Sequence, residues 1–308
     1  MGQSPLRIGT RGSPLALAQA REVRAHVAAA CGIDPEAIEL KVIRTSGDVA
    51  ADRPLTDIGG KGLFTKEIDQ ALIDRGIDLA VHSAKDLPTV LPKEVAIVGY
   101  LPREDARDAF ISRKADALKD LGPGAMVGTA SLRRQALVRR LRPDLRVTLL
   151  RGNVETRLRK LDEGVVDATL LAMAGLNRLG RAHAATSVLS LEEFPPAVGQ
   201  GAIAIAARTD NDRMRDLLGA IVHPETGSAL AAERAFLAVL DGSCRTPIAG
   251  HAVATGGHVW FHGLILRPDG SEVLEARRRG DREHAAAMGA DAGAELKVKA
   301  PVDFFHHE

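Results

Sequence analysis

The sequence is poor in the residues that mark several common classes of protein. Aromatic residues make up 3% of its 308 residues, which leaves few rings on which nucleic-acid bases could stack. The two cysteines, Cys31 and Cys244, lie far apart without metal-ligand spacing. Two such cysteines argue against a disulfide framework and for a reducing compartment. No run approaches about 18 apolar residues and the N-terminus lacks a signal-peptide pattern, so we expect a cytoplasmic protein without a membrane span.

Charge and histidine usage exclude further classes. The formal net charge of +1 gives no general reason to expect a nucleic-acid partner. The ten histidines form no HExxH or comparable motif, so we expect no metal. A length of 308 residues with 45% hydrophobic content predicts two or three domains, each with a substantial core.

Short apolar runs alternate with helical patterns over the first two thirds of the chain, which predicts α/β structure. The predicted strands are Leu6–Thr10, Glu39–Thr45, Leu79–Val81, Val95–Tyr100, Met126–Gly128, Arg146–Leu150, Val166–Leu171 and Ala202–Ala206. The pattern then changes to a helix over Glu225–Leu240, three strands and a helix from about Arg282 to Leu296. The three strands, Ile248–Ala254, His258–Leu266 and Ser271–Arg278, predict a small antiparallel sheet and therefore a distinct α+β unit.

Polar residues follow the predicted strand Leu79–Val81. His82, Ser83, Lys85 and Asp86 come directly after it, and Pro88 stops any regular continuation. The helix before this strand is expected to end with Gly76 as its left-handed residue. Ligands bind beyond the carboxyl ends of strands in open α/β sheets, so Lys85 and Asp86 are candidates for acid–base chemistry. A capping turn that faces water is the alternative.

The first strand ends in a similar way. Ser13 is a good N-cap residue and Pro14 a good first helical residue, so Arg11 and Ser13 lie at a strand end and a helix start. Amide donors at such a place favour anions.

Arginine is concentrated in one segment. Between Arg133 and Arg157 there are eight arginines, no lysine and two acidic residues. The planar guanidinium binds carboxylates or phosphates through two hydrogen bonds. We expect Arg139, Arg140 and Arg142 to lie on a solvated helix face. Four others lie near helix starts and predict a polyanion-binding site: Arg133, Arg134, Arg151 and Arg157, with Thr129 and Ser131 beside them.

Two further segments allow more than one interpretation. Gly59-Gly60-Lys61-Gly62 lacks the Ser or Thr of a phosphate-binding loop, and either a cover over a site or a flexible connection fits it. Cys244 has Arg245 beside it, which can favour the reactive thiolate, but a small buried residue is the alternative. Cys31, in the last turn of a helix, is expected to be such a buried residue.

Together these segments closely resemble the porphobilinogen deaminase family, also called hydroxymethylbilane synthases. The resemblance runs over essentially the whole chain, through Leu6–Leu17, Gly59–Phe64, Val81–Asp86, Val127–Gln135, Leu150–Val154, Pro196–Gly201, Ala232–Ala235 and Gly242–Ile248. It implies an α/β fold with two domains like type II periplasmic binding proteins and a small α+β C-terminal domain. The implied boundaries are residues 1–100 with 200–220, residues 101–199, and residues 221–308, with the first two domains facing each other across a cleft.

The resemblance also implies the reaction. Enzymes of the family join four porphobilinogen molecules head to tail on a dipyrromethane cofactor, release ammonia, and free 1-hydroxymethylbilane by hydrolysis. It implies a monomer whose partner is this small-molecule substrate, with no nucleic acid and no membrane. A cytoplasmic anion- or solute-binding protein of the same two-domain fold is the alternative. Such a protein would need neither Asp86 beside Lys85 nor a cysteine in the cleft.

By resemblance, residues take specific roles. Cys244 would carry the cofactor through a thioether, Asp86 and Lys85 would act in catalysis, and Lys61 and Phe64 would belong to an active-site loop. The cofactor would also contact Ser83, Lys85, Asp86, Thr129, Ser131, Arg133, Arg134 and Gly152. The substrate would contact Arg11, Ser13, Arg151, Arg157 and Arg178.

A few positions depart from the family pattern. Asp57 stands where many relatives have lysine, and Ala130 replaces a frequent serine. Pro301–Glu308 matches nothing in the family and is expected to be a frayed tail.

Overall fold

The structure is a computed structural model that describes residues 5–49, 62, 64–241 and 246–305. The chain forms two compact units, Met1–Glu104 with Ala202–Gly227, and Asp105–Gly201 with Ser228–Glu308. The three-domain boundaries given by the sequence stay a prediction. Among the helices of the described residues, none combines the length and the apolar character needed to cross a bilayer.

The elements are named in chain order. The strands are β1 (Arg7–Thr10), β2 (Glu39–Val42), β3 (Leu79–Ser83), β4 (Val95–Tyr100), β5 (Asp108–Ser112), β6 (Met126–Gly128), β7 (Arg146–Thr148), β8 (Ala168–Ala172), β9 (Ser187–Val188), β10 (Ile203–Arg208), β11 (Ile248–Thr255), β12 (His258–Leu266) and β13 (Val273–Asp281). The helices are α1 (Pro14–Cys31), α2 (Ser46–Val49), α3 (Lys66–Ile73), α4 (Leu132–Leu141), α5 (Val154–Asp162), α6 (Met173–Arg178), α7 (Asp212–Gly219), α8 (Pro224–Val239) and α9 (Ala285–Lys299).

The first unit is built on a five-stranded sheet in the order β2-β1-β3-β10-β4. Strands β1, β2 and β3 are parallel, and β10 lies antiparallel between β3 and β4. Ile8 of β1 pairs with Leu79 of β3, and both side chains are fully buried against Val23 and Val27 of α1. The carboxyl ends of β1 and β3 therefore lie side by side.

Local signals explain where the helices of this unit begin and end. The Ser13 hydroxyl accepts a hydrogen bond from the Ala16 amide at 3.2 Å, so α1 begins as the sequence predicts. It ends at Gly32, whose φ of 64° is left-handed. The prediction for Gly76 is wrong, because the left-handed residue after α3 is Arg75, with a φ of 57°. The prediction for Cys31 is also wrong, since its side chain is exposed.

The second unit contains two sheets. The larger has the order β7-β6-β8-β5-β9 and repeats the pattern of the first unit, with β5 antiparallel to the parallel strands β6, β7 and β8. The smaller is the antiparallel sheet β11-β12-β13, whose register pairs Gly263 with Gly250 and Ala276. Helix α9 packs close to α8, because a Cβ on Gly289 would lie 1.9 Å from the Ala232 carbonyl oxygen. The mixed α/β class with a small C-terminal sheet is confirmed.

The C-terminal segment differs from its prediction. Phe304 is 1% exposed, and the Arg267 guanidinium lies 5.2 Å from its ring centroid. Arg267 also approaches Asp303 at 3.6 Å. Phe304 therefore packs on the second unit, and the expectation of a frayed tail is wrong for this residue.

Two of the three arginines expected on a solvated face also differ. Arg142 donates hydrogen bonds to the carbonyl oxygens of Leu118, Lys119 and Leu121, and Arg139 donates to that of Pro268. Both guanidiniums therefore hold turns of the second unit. Arg140 is exposed, as predicted.

Candidate active site

The first unit presents polar side chains where β1 and β3 end. Arg11 follows β1 directly, Ser83 is the last residue of β3, and Asp86 ends a short 3₁₀ turn, Ala84–Asp86. This juxtaposition follows from the parallel pairing of β1 with β3. It brings together residues that lie about seventy positions apart in the chain, as the hydrogen bond between Gln19 and Ser83 also does.

A small pocket of about 60 Å³ lies at these strand ends, and we call it the strand-end pocket. Arg11 Nη1 lies 3.9 Å from Asp86 Oδ2, and the Arg11 guanidinium lies 4.2 Å from the Phe64 ring centroid. The Asp86 side chain keeps 35% of its surface exposed, so it is accessible to a ligand. The lining is formed by Arg11, Ser13, Leu15, Ala16, Gln19, Phe64, Val81, His82, Ser83 and Asp86.

The serines of this pocket have structural partners. Ser13 caps α1, and Ser83 exchanges hydrogen bonds with the Gln19 amide group at 2.9 and 3.0 Å. Lys85 is exposed on the 3₁₀ turn and does not line the pocket. Gln19 is a pocket residue that the sequence did not predict. It is buried on α1, the helix that Ser13 caps.

His82 is among the polar residues that the sequence places after the strand, but the sequence assigns it no role. It is 5% exposed, and its Nε2 has no hydrogen-bond partner within the described structure. Burial, reinforced by the positive charge of Arg11, lowers the pKa of His82 to about 4. The imidazole is therefore neutral at physiological pH, and Arg11 provides positive charge beside Asp86.

The second unit contains a group of arginines that we call the arginine cluster: Arg134, Arg151 and Arg157. Burial and the charges of Arg134 and Arg151 lower the pKa of Arg157 to about 10. Arg157 Nε donates to the Gly152 carbonyl oxygen at 2.9 Å, which fixes the side chain. Arg151 Nη1 is buried without a hydrogen-bond partner in the described structure. Such mutually repelling cations are suited to an anion.

Beneath this cluster lies a buried carboxylate, Asp108. Its two oxygens accept hydrogen bonds from Arg133 Nη2 and Arg134 Nη2, both at 2.7 Å. The exposed fractions of the Arg133, Arg134 and Asp108 side chains are 4%, 6% and 0%. The sequence predicts Arg133 and Arg134 as ligands of carboxylate groups, and the structure places both against a carboxylate of the protein itself. Their role toward a ligand stays a prediction.

The remaining predicted residues of this unit come after strands β6, β7 and β8 in the chain. Thr129 Oγ1 accepts a hydrogen bond from the Ser131 amide at 3.2 Å, and Ser131 caps α4 through the Arg134 amide at 3.4 Å. Gly152 has a left-handed φ of 125°, a conformation that favours glycine. Arg178 Nη1 donates to the Gly201 carbonyl oxygen at 3.1 Å.

Some predicted positions lie outside the described residues. These are Lys61, Asp57 and Cys244, the predicted attachment site of the cofactor. Their predicted roles stay predictions.

One group of possible metal ligands occurs in the described ranges. Ligand atoms of Asp281, Glu283 and His284 lie within 4.8 Å of one another, and all three residues are exposed. Solvated groups of this kind are common on protein surfaces, and the expectation of no metal stays a prediction.

Comparison with known families gives a match that spans both sets of residues. Residues 6–216 match the model described as porphobilinogen deaminase, dipyromethane cofactor binding domain, and residues 228–298 match the C-terminal domain of the same family. The chain belongs to the porphobilinogen deaminase family. The strand-end pocket and the arginine cluster both lie inside the segment that matches the cofactor-binding domain.

Named relatives agree with the family match. A porphobilinogen deaminase from Nitrobacter winogradskyi is 61% identical over 298 residues, covering 97% of this chain and 94% of the relative. One from Paracoccus denitrificans is 54% identical over 303 residues, covering 98% and 97%.

Solved structures share a more distant similarity. A putative methionine-binding lipoprotein from Bacillus subtilis aligns with a TM-score of 0.44 at 16% identity, covering 72% of this chain and 92% of that one. A periplasmic substrate-binding protein of an ABC transporter from Coxiella burnetii aligns with a TM-score of 0.43 at 17% identity, covering 71% and 92%.

Proposed function

We propose that the protein is a hydroxymethylbilane synthase, which joins four porphobilinogen molecules head to tail, releases ammonia, and frees 1-hydroxymethylbilane by hydrolysis. The observation that carries the proposal is a set of unpartnered guanidinium donors inside the segment that matches the family. Arg133 Nε, Arg134 Nε and Arg151 Nη1 are all buried without a hydrogen-bond partner in the described structure. Buried donors of this kind need an acceptor, and a carboxylate is the acceptor that fits a guanidinium best.

These donors fit the dipyrromethane group of the family. The group consists of two porphobilinogen-derived rings, each with an acetate and a propionate. Arg133, Arg134 and Arg151 would hold these carboxylates, and Cys244 would tether the group by a thioether. When bound, it supplies the pyrrole carbon to which the first substrate ring is joined. One fixed anchor makes each coupling effectively intramolecular.

The strand-end pocket supplies the acid–base chemistry. Departure of ammonia requires a proton on the amine and leaves positive charge on a pyrrole ring. Asp86 lies in the pocket wall and is accessible, so its carboxyl group can transfer the proton and balance the charge. Arg11 and Ser13 in the same lining would bind a substrate carboxylate.

The arginine cluster supplies binding. Each added ring brings two more carboxylates, so the site must receive increasing negative charge as the chain grows. Arg157 and Arg151 can bind these groups, because a bound anion offsets the burial and the repulsion from Arg134 and Arg151 that together lower the pKa of Arg157. Arg178, fixed against the Gly201 carbonyl, would contribute in the same way.

Other properties extend the proposal. The protein would act as a cytoplasmic monomer whose partner is porphobilinogen, without a role for nucleic acid or membrane. The alternative, a solute-binding protein, finds no support in the relatives, which are named as deaminases.

The test combines catalysis with mass. The purified chain incubated with porphobilinogen should release ammonia and 1-hydroxymethylbilane. Its intact mass should exceed the sequence mass by two linked rings, with the adduct on the peptide that contains Cys244. Cys244→Ser should remove the adduct and the activity.

Cys31→Ser is the matched control, because Cys31 is an exposed cysteine on α1. It should retain both the adduct and the activity. An active wild-type chain without an adduct would contradict the cofactor assignment, and a chain with no turnover would contradict the function.

A further inference from the structure

Asp108 is a buried acidic residue to which neither the sequence pattern nor the proposed chemistry assigns a task. It begins β5 and is completely buried. Three side chains donate to its carboxylate: Arg133 to Oδ2 at 2.7 Å, Arg134 to Oδ1 at 2.7 Å, and Gln200 Nε2 to Oδ1 at 2.8 Å. Because both oxygens of the carboxylate accept hydrogen bonds, Asp108 and its three partners hold one another in one arrangement.

The charges in this group explain why the carboxylate tolerates burial. Burial alone raises the pKa of Asp108, but the charges of Arg133 and Arg134 and their hydrogen bonds outweigh it and hold the pKa well below its usual range. The two guanidiniums and one carboxylate leave a net positive charge inside the unit. That charge lies beside the arginine cluster, to which Arg134 belongs.

The hydrogen bonds orient both guanidiniums in the same way. Arg133 Nη1 donates to the Pro195 carbonyl oxygen at 2.7 Å, and Arg134 Nη1 donates to that of Leu170 at 2.8 Å. Each Nη2 donates to Asp108. Each guanidinium is therefore fixed through its two terminal nitrogens, and in each the Nε–H remains buried and without a partner in the described structure.

We propose that Asp108, supported by Gln200, is a positioning residue that holds Arg133 and Arg134 in the orientation in which they bind the carboxylates of a ligand. The inference rests on the proposed function, because it takes the ligand to be the carboxylates of the cofactor or the substrate. Asp108 itself, being enclosed by its three partners, acts through the arginines and does not touch the ligand.

A positioning role and a purely electrostatic role for Asp108 predict opposite changes in anion binding when its charge is removed. If Asp108 acted only through its charge, Asp108→Asn would make the site more positive and would strengthen the binding of an anion. If Asp108 positions the arginines, the same substitution frees one guanidinium to turn, because an amide nitrogen cannot accept a hydrogen bond from it. Binding would then weaken although the local positive charge has increased.

The experiment compares Asp108→Asn, Asp108→Glu and Gln200→Met with wild type, using the full chain with its cofactor. The measurements are KM and kcat for porphobilinogen, and the fraction of chains that carry the cofactor by intact mass. Asp162→Asn is the matched control, since Asp162 forms an exposed pair with Arg113 at 3.0 Å. It should leave all three quantities unchanged.

We expect Asp108→Asn to raise KM by about 10- to 100-fold, the range of a lost charged hydrogen bond, with a smaller change in kcat and a lower cofactor fraction. Asp108→Glu should show a smaller loss in the same direction, because it keeps the charge but shifts the carboxylate. Gln200→Met leaves every charge in place and should raise KM by a few-fold, and it decides the question if Asp108→Asn does not fold.

An unchanged or lower KM in Asp108→Asn, with full cofactor content, would overturn the positioning role. If Asp108→Asn does not fold, wild-type values in Gln200→Met would do so. Failure of the proposed function is a separate outcome, since wild type itself would then show neither adduct nor turnover.

Discussion

The two compact units use charge in different ways at their candidate sites. In the first, one arginine and one aspartate approach at 3.9 Å in a pocket that leaves both partly exposed, and the neighbouring histidine is held neutral. In the second, several arginines lie together and the acid that balances them is completely buried. The first arrangement can move a proton and balance a transient charge, whereas the second can only bind anions. On the proposed function, the acid–base chemistry would fall to the first unit and most of the anion binding to the second.

The substitution with the largest expected effect on activity is one that neutralises Asp86, the acid of the first unit. Asp86→Asn keeps the shape of the side chain but removes its charge and its proton. We expect kcat to fall by about 10²–10⁴-fold, the usual contribution of general acid–base catalysis, with the cofactor retained. Single-turnover formation of product at saturating porphobilinogen measures the effect.

Asp86→Glu is the companion variant. It keeps the carboxylate and moves it by about one bond length, so it should retain more activity than the Asn variant. If Asn turns over like wild type, or loses only affinity, Asp86 is a binding or capping residue and the division of tasks fails.

A second test uses the neutral His82. Its folded-state pKa of about 4 lies below its ordinary value of 6.5, so between these pH values the unfolded chain binds a proton that the folded chain does not. Stability is therefore complete above pH 6.5 and falls as the pH drops toward 4. The loss attributable to His82 should reach about 3 kcal/mol, and urea unfolding of wild type and His82→Asn at pH 7 and pH 4.5 measures it.

The matched control for this test is His183→Asn, because His183 is exposed in the second unit. It should leave the pH dependence of stability as it is in wild type. Wild type must be compared with the variants because Asp69 also changes the stability in this pH range. Burial raises the pKa of Asp69 to about 6 despite a hydrogen bond from Thr65. Stability from Asp69 is thus present at low pH and falls as the pH rises toward 6, which partly masks His82 in wild type. An equal pH dependence in His82→Asn and wild type would contradict a buried neutral histidine.

The smallest effect tests the binding side of the comparison. Arg157→Leu removes one member of the arginine cluster and should raise KM for porphobilinogen about 10- to 100-fold, with less change in kcat. Arg159→Leu is its control on the same helix, since Arg159 forms an exposed pair with Glu163 at 2.7 Å. A fall in kcat alone for Arg157→Leu would place chemistry in the second unit and contradict the comparison.

Local features of the fold could be predicted from sequence because their causes are local. The strands Val95–Tyr100, Met126–Gly128 and His258–Leu266 have the predicted bounds, since apolar runs between turn residues specify them. The cap Ser13 could be predicted because its side chain bonds to an amide three residues away. Arg11 and Asp86 could be placed near each other because both follow strands that run in parallel.

Features that depend on distant partners could not be predicted. Asp108 lies 25 and 26 residues from its arginines and 92 from Gln200, so no local pattern announces a buried acid there. The burial of His82 depends on packing inside the first unit. Phe304 lies in a segment that matches nothing in the family. It is covered by Arg267, and β13 and α9 separate the two residues in the chain.

The place of β10 in the first sheet has a consequence for how the protein is made. Strand β10 lies between β3 and β4, so β4 pairs with β10 and not with β3. When residues 1–104 have been synthesised, β10 is still missing from the sheet. One edge of β3, an apolar strand, is therefore unpaired. That edge is open to pairing with other chains until about a hundred further residues have been translated, and nascent chains in this state should be the ones that chaperones bind.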